Sequence, residues 1–114
     1  MSTTMTSDLA KKECKSCDGG VPAVKGEELK QLQERLNNGW QVLNEQKLEK
    51  EFKFPDFQHA LKFVNRVGEI AEEQGHHPDI YFTYGQAKIQ IWTHSVKGLT
   101  ENDFILAAKI SELD

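Results

Sequence analysis

With 114 residues, 38% of them apolar and ten aromatic, the chain is long enough to form one packed domain. A formal charge of −4 and a pI near 5.6, with no basic cluster, argue against a nucleic-acid binder. No apolar run approaches the ~20 residues needed to cross a bilayer. The polar start, Met1 to Asp8, lacks an apolar signal region, so a soluble, cytoplasmic protein with no membrane partner is expected.

Residues 1–25 read as a flexible N-terminal segment, polar and punctuated by Gly19, Gly20 and Pro22. The segment carries Cys14 and Cys17 as a C-x-x-C pair. Two reduced thiols, half of a zinc site completed by His76 and His77, and a redox dithiol are all open readings. The redox reading is the poorest fit, because no strand precedes the pair. Residues 26–114 form the domain. Leu29, Leu32 and Leu36 recur at helical spacing behind Glu27 and Glu28, which predicts a helix over 27–37 stopped by Asn37-Asn38-Gly39.

Strands near 40–44 and 47–54 form a first hairpin interrupted by Asn44-Glu45-Gln46. Leu48, Lys50, Phe52 and Phe54 share one parity, and Lys47, Glu49, Glu51 and Lys53 the other, so one face is wet or covered by a partner. Asp56 is an N-cap, and the helix behind it runs to Gln74 and stops at Gly75. Its apolar stripe holds Phe57, Ala60, Leu61, Phe63, Val64, Val67, Ile70 and Ala71. Glu72 falls at the edge of that stripe, beside Leu61, where a boundary glutamate with a snorkelling stem and a functional carboxylate look alike. His59 is expected on the helix surface or at its boundary.

The segments 80–84 and 87–94 make a second hairpin. Ala87, Ile89, Ile91 and Thr93 share one face, and Lys88, Gln90, Trp92 and His94 the other. Ile80–Tyr84 is apolar on both parities, which suggests that another subunit covers the second face, so a homo-oligomer, dimer or tetramer, is expected. After the loop Ser95 to Leu99, Thr100 caps a last helix with Glu101 and Asp103 in its first turn. Its buried side is Phe104, Ile105, Ala107, Ala108 and Ile110. The order helix, hairpin, helix, hairpin, helix predicts an α+β fold: a four-stranded antiparallel sheet from two hairpins with helices packed on one face, a two-layer sandwich.

Three of the four histidines lie where one end of that sheet should be: His76 and His77 before the third strand, and His94 after the fourth. Imidazole is the side chain best matched to proton transfer near neutral pH, which points to an acid–base enzyme. A histidine pair taken alone also fits metal binding or a buried polar cap. Pro78 forces His77 into an extended conformation, and adjacent extended residues point to opposite sides. His76 and His77 can share a pocket only at the sheet's end.

Phe57, Ala60, Phe63, Arg66-Val67, Ala71-Glu72, His76-His77-Pro78, Thr93-His94, Gly98-Leu99-Thr100 and Asp103 follow one another in the order and spacing of the pterin-4a-carbinolamine dehydratase family. The resemblance covers roughly residues 27–113. It implies a hydro-lyase that dehydrates 4a-hydroxytetrahydropterin to the quinonoid dihydropterin, recycling the cofactor of aromatic amino acid hydroxylases. On the matching positions His76, His77 and His94 are the catalytic histidines. Glu72 orients a histidine or holds the pterin, and Thr93 and Ser95 are candidate pterin contacts. Asp103 matches the motif, and serves equally well as a helix N-terminal acid. The resemblance implies no metal and no cofactor. Gly75 stands where animal members carry an aspartate, which removes one possible pterin contact, and Lys97 replaces a common glycine. The family also contains a dimerisation partner of a transcription factor, so a protein-binding module of coactivator type without catalysis is the alternative.

Overall fold

Helix α1 (Gly26–Leu36) buries Leu29, Leu32 and Leu36, the three leucines whose spacing predicted it. The structure is a computed structural model that describes residues 23–36 and 39–113. Cys14 and Cys17 lie outside the described residues. Val24, within the segment expected to be flexible, is buried, and its N–H donates to the Leu99 carbonyl at 2.7 Å.

Strands β1 (Gln41–Leu43) and β2 (Lys47–Lys53) turn through Asn44 and Glu45, both at positive φ. Helix α2 (Phe57–Gln74) follows, then β3 (Asp79–Thr83), β4 (Gln86–Ile91) and helix α3 (Glu101–Ser111). The four strands form one antiparallel sheet in the order β1-β2-β4-β3, with β3 and β1 at its edges. Leu48 and Phe52 of β2 and Ala87, Ile89 and Ile91 of β4 are buried on the face that the helices cover. The other face carries Lys47, Glu49, Lys88 and Gln90. Gln90 donates to Glu49 at 3.0 Å, and Lys88 lies 3.6 Å from the same carboxylate. The architecture is the expected α+β sandwich.

Three details differ from the expectation. Helix α3 buries Asn102, Asp103, Leu106 and Ser111 as well as the five residues expected, leaving Glu101 exposed and Lys109 half-buried. It packs against the sheet, α1 and α2 at once, so Leu106 is as buried as Phe104 and Ile110. Strand β4 ends at Ile91, and His94 lies in a turn rather than in the strand. An isolated bridge between Thr93 and Gly98 folds the chain back towards α3, with the Thr93 N–H donating to Gly98 at 2.8 Å. Strand β3, apolar on both parities, is sorted by its neighbours. Ile80 and Phe82 stand opposite Ile89 and Ala87, while Tyr81 is exposed under the Lys88 ammonium, 5.0 Å from its ring.

Candidate active site

Both ends of α2 form as their local sequence dictates. The Asp56 carboxylate accepts from the His59 N–H at 2.9 Å, and Gly75 closes the helix at φ 65°, a left-handed conformation that suits glycine. That stop throws the chain across the end of the sheet as His76-His77-Pro78. The register of β3 on β4 runs Asp79 against Gln90 and, continued outward, sets His76 level with Thr93. The N-terminus of α3 arrives at the same place, because the Thr93–Gly98 bridge delivers Thr100 and Asp103 beside it.

Asp103 is the centre of the arrangement. Its side chain is fully buried and accepts three hydrogen bonds: from His76 Nε2 at 2.6 Å, from Thr93 Oγ1 at 2.7 Å and from the Thr100 backbone N–H at 2.8 Å. The last is one arm of a capping box. Since Thr93 gives its only hydroxyl proton to Asp103, the 3.1 Å contact between the Thr93 and Thr100 hydroxyls has Thr100 as donor. A carboxylate in its ionised form only accepts, and opposite it the shared proton belongs on His76 Nε2, the tautomer this contact favours. That leaves Nδ1 of His76 as the nitrogen that can take or release a proton.

His77 is held by a different carboxylate. Its Nε2 lies 2.7 Å from Glu72 Oε2, and both side chains are largely exposed. His76 and His77 therefore turn to opposite partners, as extended neighbours do. His94, at the turn after β4, is exposed and stacks on Trp92, with ring centroids 4.0 Å apart and planes 29° apart. The Trp92 indole N–H donates to Asp79 Oδ2 at 3.3 Å, one residue past Pro78. Ser95 is exposed in the same turn. Thr93 is buried with its hydroxyl committed to Asp103, so it stands behind His76, whereas the sequence suggested a pterin contact. His59 is exposed and lies 2.7 Å from Asp56, away from this cluster on the first turn of α2.

Asp103, Trp92 and Asp79 are the members that sequence reasoning left out. Asp103 was visible as a motif position, but the capping role explained it just as well, and the structure gives it both. Trp92 shares its parity with His94, the one signal that joined them. No group of three or more metal-ligating side chains comes together among the described residues.

The fold and the site define a class: a small α+β domain with a histidine and carboxylate cluster where helix, strand and loop meet at the sheet's end. The sequence profile of the pterin 4 alpha carbinolamine dehydratase family matches residues 22–113. The chain belongs to that family and is a hydro-lyase. A protein of Rubrobacter xylanophilus, provisionally named pterin-4-alpha-carbinolamine dehydratase, is 56% identical over 107 residues, covering 94% of this chain and 99% of its own. A relative of the same provisional name from Rickettsia bellii is 44% identical over 110 residues, 96% of this chain and 97% of its own. Among solved structures, a "transcriptional coactivator/pterin dehydratase" from Brucella melitensis superposes with a TM-score of 0.73 at 30% identity, covering 79% of this chain and 96% of that one.

Proposed function

We propose that the protein dehydrates 4a-hydroxytetrahydropterin to the quinonoid dihydropterin and water by histidine acid–base catalysis, recycling the pterin used by aromatic amino acid hydroxylases. The C4a–O bond breaks as a proton is delivered to the departing hydroxyl, and the N5 proton is removed as the C4a=N5 bond forms. The observation that carries this reading is the buried carboxylate of Asp103 bound to His76 Nε2. A carboxylate behind an imidazole fixes its tautomer and stabilises the imidazolium that forms when the outer nitrogen takes a proton. His76 is thus suited to accept the N5 proton at Nδ1. The His94 ring makes no hydrogen bond to the described residues, and its nitrogens are open to the substrate hydroxyl. His77, steadied by Glu72, is the third proton-transfer group, and Glu72 and Ser95 face the pterin. Thr93 and Asp103 are positioning residues.

Single-turnover dehydration of synthesised carbinolamine tests this. His76→Ala, His77→Ala and His94→Ala should each slow the step ~10²–10⁴-fold, the usual worth of a lost proton-transfer group. His59→Ala should stay near wild type, with circular dichroism confirming the fold of all four. Near-full activity in all three motif variants, or a His59→Ala as damaged as His94→Ala, would sink the assignment. The same assay separates catalysis from a docking-only role of the coactivator kind for which the Brucella protein is named, because a docking module has no use for a proton relay.

The reading includes a homo-oligomer. Phe57, Leu61, Tyr81 and Tyr84 are exposed on or beside β3, an edge strand whose outer side has no partner among the described residues.

A further inference from the structure

His76 and His77 are each gripped by a carboxylate, and His94 is not. An exposed histidine at a turn ordinarily samples several rotamers, yet proton transfer needs its partners aligned to within a fraction of an ångström. What confines the His94 ring is the face of Trp92, 4.0 Å away and 29° from parallel. Trp92 is itself held from several directions. Its backbone runs between Ile91, fully buried, and Thr93, whose hydroxyl is bound to Asp103. Its indole N–H is taken by Asp79, and the Lys47 ammonium of β2 lies 5.0 Å from its ring. Asp79 directly follows His77-Pro78, so the indole ties the turn that carries His94 to the segment that carries His76 and His77.

We infer that Trp92 is the positioning residue of His94: its indole face sets the imidazole's plane, and its N–H bond to Asp79 sets the distance of His94 from the histidine pair. The inference rests on the catalytic role proposed above for His94. A leucine at position 92 would fill the space without offering a stacking face, and a phenylalanine would keep the face and lose the N–H.

The test combines proton NMR of the His94 ring, assigned by its disappearance in His94→Ala, with dehydration kinetics on Trp92→Leu, Trp92→Phe, His94→Ala and the double variant Trp92→Leu/His94→Ala. Loss of the indole ring current should move the His94 ring resonances downfield in Trp92→Leu. In the same variant kcat should fall ~10- to 100-fold with KM little changed, the order expected when a reacting group is displaced by about an ångström. Trp92→Phe, which keeps a stacking face and loses the bond to Asp79, should return the resonances towards wild type but recover only part of kcat. A Trp92→Phe with wild-type kcat would overturn the role of the N–H bond. Adding Trp92→Leu to His94→Ala should slow the reaction no further, because the indole acts through the imidazole. Unmoved resonances in Trp92→Leu would mean that no stack exists in solution. An unchanged kcat beside moved resonances would mean that the orientation is not used. A full additional loss in the double variant would mean that Trp92 acts elsewhere. Each of these overturns the inference. A fully active His94→Ala overturns the catalytic reading of His94, and with it the kinetic role of Trp92, while the resonances still report the stack.

Discussion

Asp103 does two tasks with one carboxylate. It receives the Thr100 N–H as part of the α3 cap and holds His76 by its ring nitrogen. A fully buried carboxylate costs several kcal/mol unless hydrogen bonds replace its water. Three bonds of 2.6–2.8 Å do so in this site, helped by the positive end of α3. Asp103→Asn separates the two tasks. If the amide oxygen keeps Thr93 and Thr100, the amide NH₂ must face His76 Nε2, which then has to accept, and the ring proton moves to Nδ1. On the proposed role of His76, the base is then left in the wrong tautomer. Dehydration should fall ~10²–10⁴-fold with the fold retained, read by single-turnover kinetics alongside the ¹⁵N shifts of the His76 ring. Asp103→Ala should in addition lose about 3 kcal/mol of stability in denaturant unfolding, because the Thr100 N–H is left buried without an acceptor and His76 loses its carboxylate, while Thr93 can still donate to the Thr100 hydroxyl. Wild-type turnover in Asp103→Asn would remove Asp103 from the relay. Local sequence could not choose between cap and relay at this position, since a helix N-terminal acid looks the same whether or not a histidine 27 residues away reaches it.

Elements whose rules are local were legible, and those set by distant contacts were not. Helix α2 starts at a side-chain cap and stops at a left-handed glycine, both within a turn of the residues they serve. The end of β4 depends instead on Gly98 bridging back to Thr93, and the extensive burial of α3 depends on three neighbours at once. The α2 cap carries its own pH dependence. The His59 backbone N–H, then the His59 side chain, holds the Asp56 carboxyl below its ordinary value of 3.8. A depressed carboxyl contributes stability that is present above the ordinary value and is lost as pH falls through the folded one. Asp56→Ala should therefore melt below wild type at neutral pH, and the gap should close as the pH drops below 3.8. Thermal melts of both proteins across that range measure it, and a gap that persists unchanged in acid counts against the cap as its source.

For the whole molecule, β3, apolar on both parities in the sequence, is an edge strand of the sheet. The open face of the sheet carries Lys88, Glu49 and Gln90 in contact with one another, beside the half-exposed Tyr81. The apolar surplus lies along β3 itself. Phe57 stacks on Phe82 with centroids 5.1 Å apart and is 46% exposed, Leu61 one turn further along α2 is 38% exposed, and Tyr84 at the hairpin tip is 67% exposed. An edge strand with apolar neighbours is a template for another strand, and a second copy of the same edge is its simplest complement. Pairing β3 with β3 would also bring the two α2 helices together over Phe57 and Leu61. A stable dimer buries ~1,200–2,000 Å² in total, so losing the centre of the patch should matter. Sedimentation at micromolar concentration should give the wild-type protein a multiple of 13.0 kDa. Leu61→Glu should shift it to the monomer mass without unfolding it, because Leu61 is not part of the buried core. A wild-type mass of one chain would rule out the oligomer, and a Leu61→Glu variant that keeps the wild-type mass would place the contact elsewhere on the molecule.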